Sequence, residues 1–198
     1  MKLSVFFIVT IFVSCSHESK DVPFSSLIEN IPKLELEQFE TKRFDDFEIL
    51  LLKELTASSA KQSKFVRINH NNFASEKHLT VLRDSSSYAS DLKSNFGEVD
   101  QEILRTYAHE ALNKFKGVMR EVDTSELIFS LVNGIPCYRT YFEANAYGFP
   151  RRKSYWIRYF KTTKGYYSMI SWTTLLNQSK FESEVTLMGL SFKPTFGM

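Results

Sequence analysis

The chain has 198 residues, 25 basic and 23 acidic side chains, and 43% hydrophobic residues, enough for one substantial core. A net charge of +2 lacks the large basic excess that a nucleic-acid binder carries, so that class is excluded. Aromatic residues make up 15% of the chain, with 18 Phe and 9 Tyr, which points to a β-rich core with aromatic cross-strand pairs.

Lys2 gives the N-terminus a positive charge, and residues 3–13 are apolar apart from Ser4 and Thr10. A membrane-spanning helix needs about 20 apolar residues, so this shorter run reads as an export signal. Phe12-Val13-Ser14-Cys15 resembles a bacterial lipobox, although Leu is usual where Phe12 stands and Ala or Gly where Ser14 stands. The resemblance implies removal of residues 1–14 and acylation of Cys15. The protein would then be a membrane-anchored lipoprotein of the bacterial cell envelope, on the outer rather than the inner membrane. An ordinary cleaved signal and an uncleaved anchor are the alternatives. Cleavage would leave 184 residues with 24 basic and 23 acidic side chains. Cys15 and Cys137 are the two cysteines, so the mature part has no pair for a disulfide, and Cys137 reads as a small buried hydrophobe.

Residues 15–33 read as a tether after the lipidated cysteine, polar and broken by Pro23 and Pro32. Residues 34–198 read as one folded domain. Phe44-Asp45-Asp46-Phe47 predicts a tight turn between two short strands, the second continuing through Leu52. Asp45 and Asp46 read as solvated turn residues. Residues 56–63 predict a loop. Residues 64–70 and 77–83 alternate as a hairpin joined through Asn71-Asn72-Phe73-Ala74-Ser75. A polar connection, 84–97, leads to a helix over 100–120. Ile103, Leu104, Tyr107, Ala108, Ala111, Leu112, Phe115, Val118 and Met119 form its apolar stripe, with acids at its start and bases at its end. Residues 126–132 predict a strand, and Asn133-Gly134 a type I′ hairpin turn, whose two central residues need positive φ. A return strand over 135–144, a loop over 145–153, and strands at 154–161 and 166–172 complete a meander. Ser179-Lys180-Phe181-Glu182 matches a capping box opening a helix over 180–188, with Gly189 placed to end it. The sum is an α+β class domain, a mainly antiparallel sheet with helices packed on its faces.

Asn133-Gly134-Ile135-Pro136, the alternating strand after it, the strands at Tyr155–Phe160 and Tyr166–Ile170, and a last helix closing in Leu190-Ser191-Phe192-Lys193 resemble the PsbP-like family. The resemblance covers residues 34–193. It implies an α/β/α sandwich around an antiparallel sheet. It implies a binding or assembly module rather than an enzyme, and it transfers no site residues.

Catalytic signatures fall short. His109-Glu110-Ala111-Leu112-Asn113 lacks the second histidine of a zinc-protease helix, so His109 reads as an exposed helix residue and no metal site is assigned. Gly189-Leu190-Ser191-Phe192-Lys193 lacks the second glycine of a nucleophile elbow. No cofactor motif is present, and no catalytic residue is assigned. One constellation stands out: Arg151, Arg152 and Lys153 beside Tyr147 and Trp156, with Tyr155, Arg158 and Lys161 nearby. Guanidinium groups and aromatic faces together suit an envelope protein, a glycan or an anionic headgroup as partner. The reading is a non-catalytic binding or scaffold module held to the membrane by its N-terminal lipid. Its rivals are an envelope hydrolase and a small-ligand or lipid carrier, the latter requiring an apolar cavity of at least ~300 Å³.

Overall fold

The computed structural model describes residues 36–59, 64–84, 100–123, 126–148 and 151–195. The export signal, Cys15 and the tether expected from the sequence lie outside these residues, as does nearly all of the 84–97 connection. The described elements are β1 (Phe39–Arg43), β2 (Phe47–Leu52), β3 (Thr56–Ala57), β4 (Val66–Asn72), β5 (Lys77–Asp84) and α1 (Asp100–Lys116). They continue with β6 (Met119–Arg120), β7 (Ile128–Val132), β8 (Ile135–Ala146), β9 (Arg152–Thr162), β10 (Gly165–Thr174), a 3₁₀ turn (Leu175–Asn177), α2 (Gln178–Leu190) and β11 (Lys193–Pro194).

The main sheet runs β3-β4-β5-β10-β9-β8-β6, with β7 also paired to β8, and every pairing is antiparallel. Antiparallel strands can be joined by tight turns, and the sequence supplies them. Asn133 (φ 52°) and Gly134 (φ 74°) both take positive φ between β7 and β8, as a type I′ turn demands. Each face of the sheet is covered. On one face α1 buries Ile103, Leu104, Tyr107, Ala108 and Leu112 against Tyr138, Phe142, Tyr155, Ile157 and Tyr159. On the other, α2 and the small sheet β1-β2-β11 bury Phe47, Ile49, Leu51, Phe181, Val185 and Phe192 against Val81, Phe160, Tyr167 and Met169. The alternation of β9 decides this division, because Tyr155, Ile157 and Tyr159 face α1 while Trp156 and Phe160 face α2. Rings pair across strands as the composition anticipated, Phe142 of β8 stacking on Tyr155 of β9 at 5.3 Å, and they also pair between layers, Phe160 of β9 stacking at 4.3 Å on Phe192, which follows α2.

Several local expectations need correction. α1 stops at Lys116 rather than 120, because the chain turns at Gly117 and Met119–Arg120 pairs with Asn145 and Ala146 of β8. Val118, assigned to the buried stripe, is 58% exposed. α2 begins at Gln178, so Ser179 lies within it and no side chain caps it. Gly189 does not end α2. It is buried within the helix, where a Cβ would fall 2.2 Å from Nε of Arg158, so its bare backbone admits that arginine beneath the helix. Asp46 is not a solvated turn residue but is buried, accepting hydrogen bonds from Arg83 Nη1 (2.8 Å) and the Tyr167 hydroxyl (2.7 Å). It thereby ties the small sheet to the large one.

Candidate functional site at one end of the sheet

The residues singled out in the sequence are not all brought together. β8 extends to Ala146 and β9 starts at Arg152, so Arg152 and Lys153 belong to a strand and not to the 145–153 loop. Successive strand side chains point to opposite faces, which separates them. Arg152 binds Asp123 (2.5 Å) and Glu143 (3.3 Å). Trp156 is buried in the α2-side core, its ring 5.9 Å from Phe181 and 5.3 Å from Tyr141. Tyr147 is 52% exposed and lies 4.3 Å from the Arg120 guanidinium. Arg151 and Lys153, by contrast, border the same cleft.

That cleft has a volume of about 440 Å³ and is lined by Phe73, Glu76, His78, Arg151, Lys153, Trp172 and Thr174. Strand register builds it. Trp172 of β10 lies opposite His78 of β5, and Thr174 lies opposite Lys153 of β9. The imidazole of His78 is parallel to the indole of Trp172, with centroids 3.4 Å apart at 9°. Lys153 Nζ sits 3.7 Å from the Trp172 centroid. A ring covered at 3.4 Å on one face has no room there for an ammonium group, so His78 and Lys153 cover opposite faces of the indole. Phe73, in the β4–β5 turn and 77% exposed, meets His78 edge-on at 5.8 Å. Glu76, at φ 53°, accepts a hydrogen bond from the Thr174 hydroxyl (2.7 Å), and Arg151 approaches it at 3.6 Å.

The electrostatics follow from this packing. Burial, reinforced by the Lys153 charge, lowers the His78 pKa to about 4, so the imidazole is neutral at neutral pH. Burial also lowers the Lys153 pKa, with Glu76 acting against it. The cleft therefore offers two cations, one carboxylate already engaged by Thr174, a neutral imidazole and an apolar rim. Such a set can hold a small ligand. Phe73, His78 and Trp172 were readable in the sequence only as turn or strand residues. Pairing β5 with β10 in register was the signal that would have found them.

Other groups with chemical potential stand apart from the cleft. His109 is exposed on α1. Cys137 is fully buried, and burial pushes its thiol up to about 11. Among the described residues no three His, Cys, Asp or Glu side chains gather as metal ligands.

No protein-family model and no curated protein matches the sequence. Solved structures do share the fold. Cyanobacterial PsbP (CyanoP) from Synechocystis, determined in solution, superposes with TM-score 0.54 and 13% identity over 80% of this chain and 93% of that one. The crystal structure of PA94, a protein of unknown function from Pseudomonas aeruginosa, gives TM-score 0.51 and 10% identity over 81% and 99%. At such identities the likeness is one of fold, and it places this chain's antiparallel sheet with a helix on each face in the PsbP-like α+β architecture anticipated from its order of elements.

Proposed function

We propose that this protein is a lipid-anchored, non-catalytic binding module of the bacterial envelope, moored through Cys15, and that its ligand site is the Phe73–Trp172–Lys153 cleft. The cleft itself carries the reading. Its volume of about 440 Å³ lies within the range of small-molecule sites. Its ligand is a small organic anion with an apolar arm. Lys153 and Arg151 meet the anion, and Phe73 and the edge of Trp172 meet the arm, the edge of an aromatic ring being its electropositive side. A sugar stacking flat on Trp172 is disfavoured, because His78 and Lys153 already occupy both faces of that ring. Binding without chemistry is supported by the state of the capable side chains: His78 is stacked, His109 is exposed on α1, and Cys137 is sealed in the core.

The test uses the lipidated protein in phosphatidylcholine vesicles, in a Trp156→Phe background that leaves Trp172 as the reporter. Phenyl phosphate and phenylacetate, which stay in water, are titrated while Trp172 emission is followed. Saturable change is expected, and it should be lost in Lys153→Met and weakened in Arg151→Ala. No response at millimolar probe, or equal responses in all three proteins, would defeat the proposal.

A further inference from the structure

The cleft lies at the end of the sheet where the chain enters the fold. Gln38 accepts a backbone hydrogen bond from Lys53 (2.9 Å), and Lys53 Nζ reaches the Glu37 carbonyl (2.7 Å). Glu54, next in the chain, binds Asn72 (3.0 Å) and Lys77 (2.6 Å), the residues flanking the β4–β5 turn. Leu36 therefore stands at the same end as Phe73. The 3₁₀ turn after β10 joins this end as well, since Asn177 Nδ2 donates to the Ser75 carbonyl (3.0 Å).

This end also collects exposed apolar surface. Leu176 (90%), Phe73 (77%), Val118 (58%) and Tyr147 (52%) are the four most exposed large hydrophobic side chains among the described residues, and all four lie here. Leu176 follows β10, Phe73 tips the β4–β5 turn, and Val118 and Tyr147 flank the Met119–Ala146 pairing. Arg120 covers Tyr147, and Arg151 is largely exposed beside Phe73, so cations surround the apolar tips. Apolar tips with aromatic and basic neighbours match the layered polarity of a membrane interface. Cys15 is 21 residues before Leu36, a length that spans on the order of 25 Å as a coil. An anchored domain on so short a lead keeps the end it hangs from near the bilayer.

We propose that this end of the domain rests on the phospholipid bilayer, with Leu176 and Phe73 entering the interface, so that the mouth of the cleft opens at the membrane surface. The proposal rests on the lipid-anchor reading given above. It commits to lipid, rather than to a protein partner, because the acyl chains of Cys15 and the exposed apolar tips would lie on the same side of the domain.

The experiment places an environment-sensitive maleimide dye on the lipidated mature chain at Leu176→Cys or, as the control, at Thr163→Cys. Both positions are exposed, while Cys137 is buried and escapes the dye. Thr163 lies in the β9–β10 turn, the length of β10 away, or ~30 Å. Vesicles of phosphatidylethanolamine and phosphatidylglycerol carry a lipid-attached quencher near the headgroups. A blue shift and strong quenching at 176, with neither at 163, is the expected result. Vesicle-bound protein whose dye at 176 behaves like that at 163 overturns the end-on contact but leaves the anchor standing. Protein that does not sediment with vesicles and takes up no fatty-acid label overturns both. A blue shift at 176 without quenching, appearing only after a second protein is added, assigns the surface to that protein and overturns the lipid contact.

Discussion

Lys77 at the start of β5 allows a sharp test of how this end of the sheet is held together. Its side chain is 3% exposed, and Nζ lies 2.6 Å from Glu184 Oε2 on α2 and 2.6 Å from Glu54 Oε1 after β2. The contact with Glu54 is an aligned hydrogen bond, whereas that with Glu184 is a close ionic contact without such alignment. Glu184 is 10% exposed and Glu54 39%. In Lys77→Met the methionine keeps the packing on Phe181, which the lysine now makes at 5.6 Å, but Glu184 is left as a buried carboxylate without its cation. Such a loss costs about 3–5 kcal/mol. Freeing the half-exposed Glu54 adds at most ~1 kcal/mol. Glu184→Leu alone leaves Lys77 bound to Glu54 and so costs less, ~1–3 kcal/mol, the range for a buried polar group that loses a partner. The double variant removes both buried charges and should fall within ~1–2 kcal/mol of the parent, well below the sum of the single effects. Urea unfolding followed by far-ultraviolet circular dichroism measures all four proteins. A Lys77→Met cost under ~1 kcal/mol, or additive single and double effects, would refute the argument.

Two further outcomes follow from the packing. His78 has a folded pKa of about 4 against an ordinary 6.5, so between those values the unfolded chain binds a proton that the folded chain does not. Stability should hold above pH 6.5, fall as pH drops toward about 4 and level off below that; Trp172 emission, read in Trp156→Phe, should change near the lower value, and a transition centred at 6.5 would disprove the His78–Trp172 stack. Gly189→Ala gains up to ~1 kcal/mol of helix propensity but drives a methyl into Arg158, at a cost of ~1–3 kcal/mol. A lower melting temperature is expected, and an unchanged or higher one would show that Arg158 moves aside freely.

The candidate site was half legible. Arg151 and Lys153 could be picked out because a basic run beside aromatic residues is a local pattern. Trp156 looked equivalent to them, yet it points the other way, since one residue along a strand reverses the face. Trp172 and His78 were missed because they are 94 residues apart in the chain, and only the β5–β10 register sets them ring to ring. Asp46 shows the same limit: an acidic pair in a turn gives no sign that Arg83 and Tyr167 wait beside one member of it.

By itself the sequence determined the kinds and order of the longer elements, the Asn133-Gly134 turn, the α1 stripe from Ile103 to Phe115 and the α+β class, but not the two-residue strands β3, β6 and β11, the first of which it read as loop and the second as helix. The features it determined depend on near-neighbour periodicity and on the dihedral needs of single residues, which a linear pattern records. Tertiary structure alone decided which strand ends lie together, which buried charges find partners, and that the cleft shares an end with the start of the fold. Those outcomes depend on contacts between residues far apart in the chain, and strand register, not local composition, assigns them.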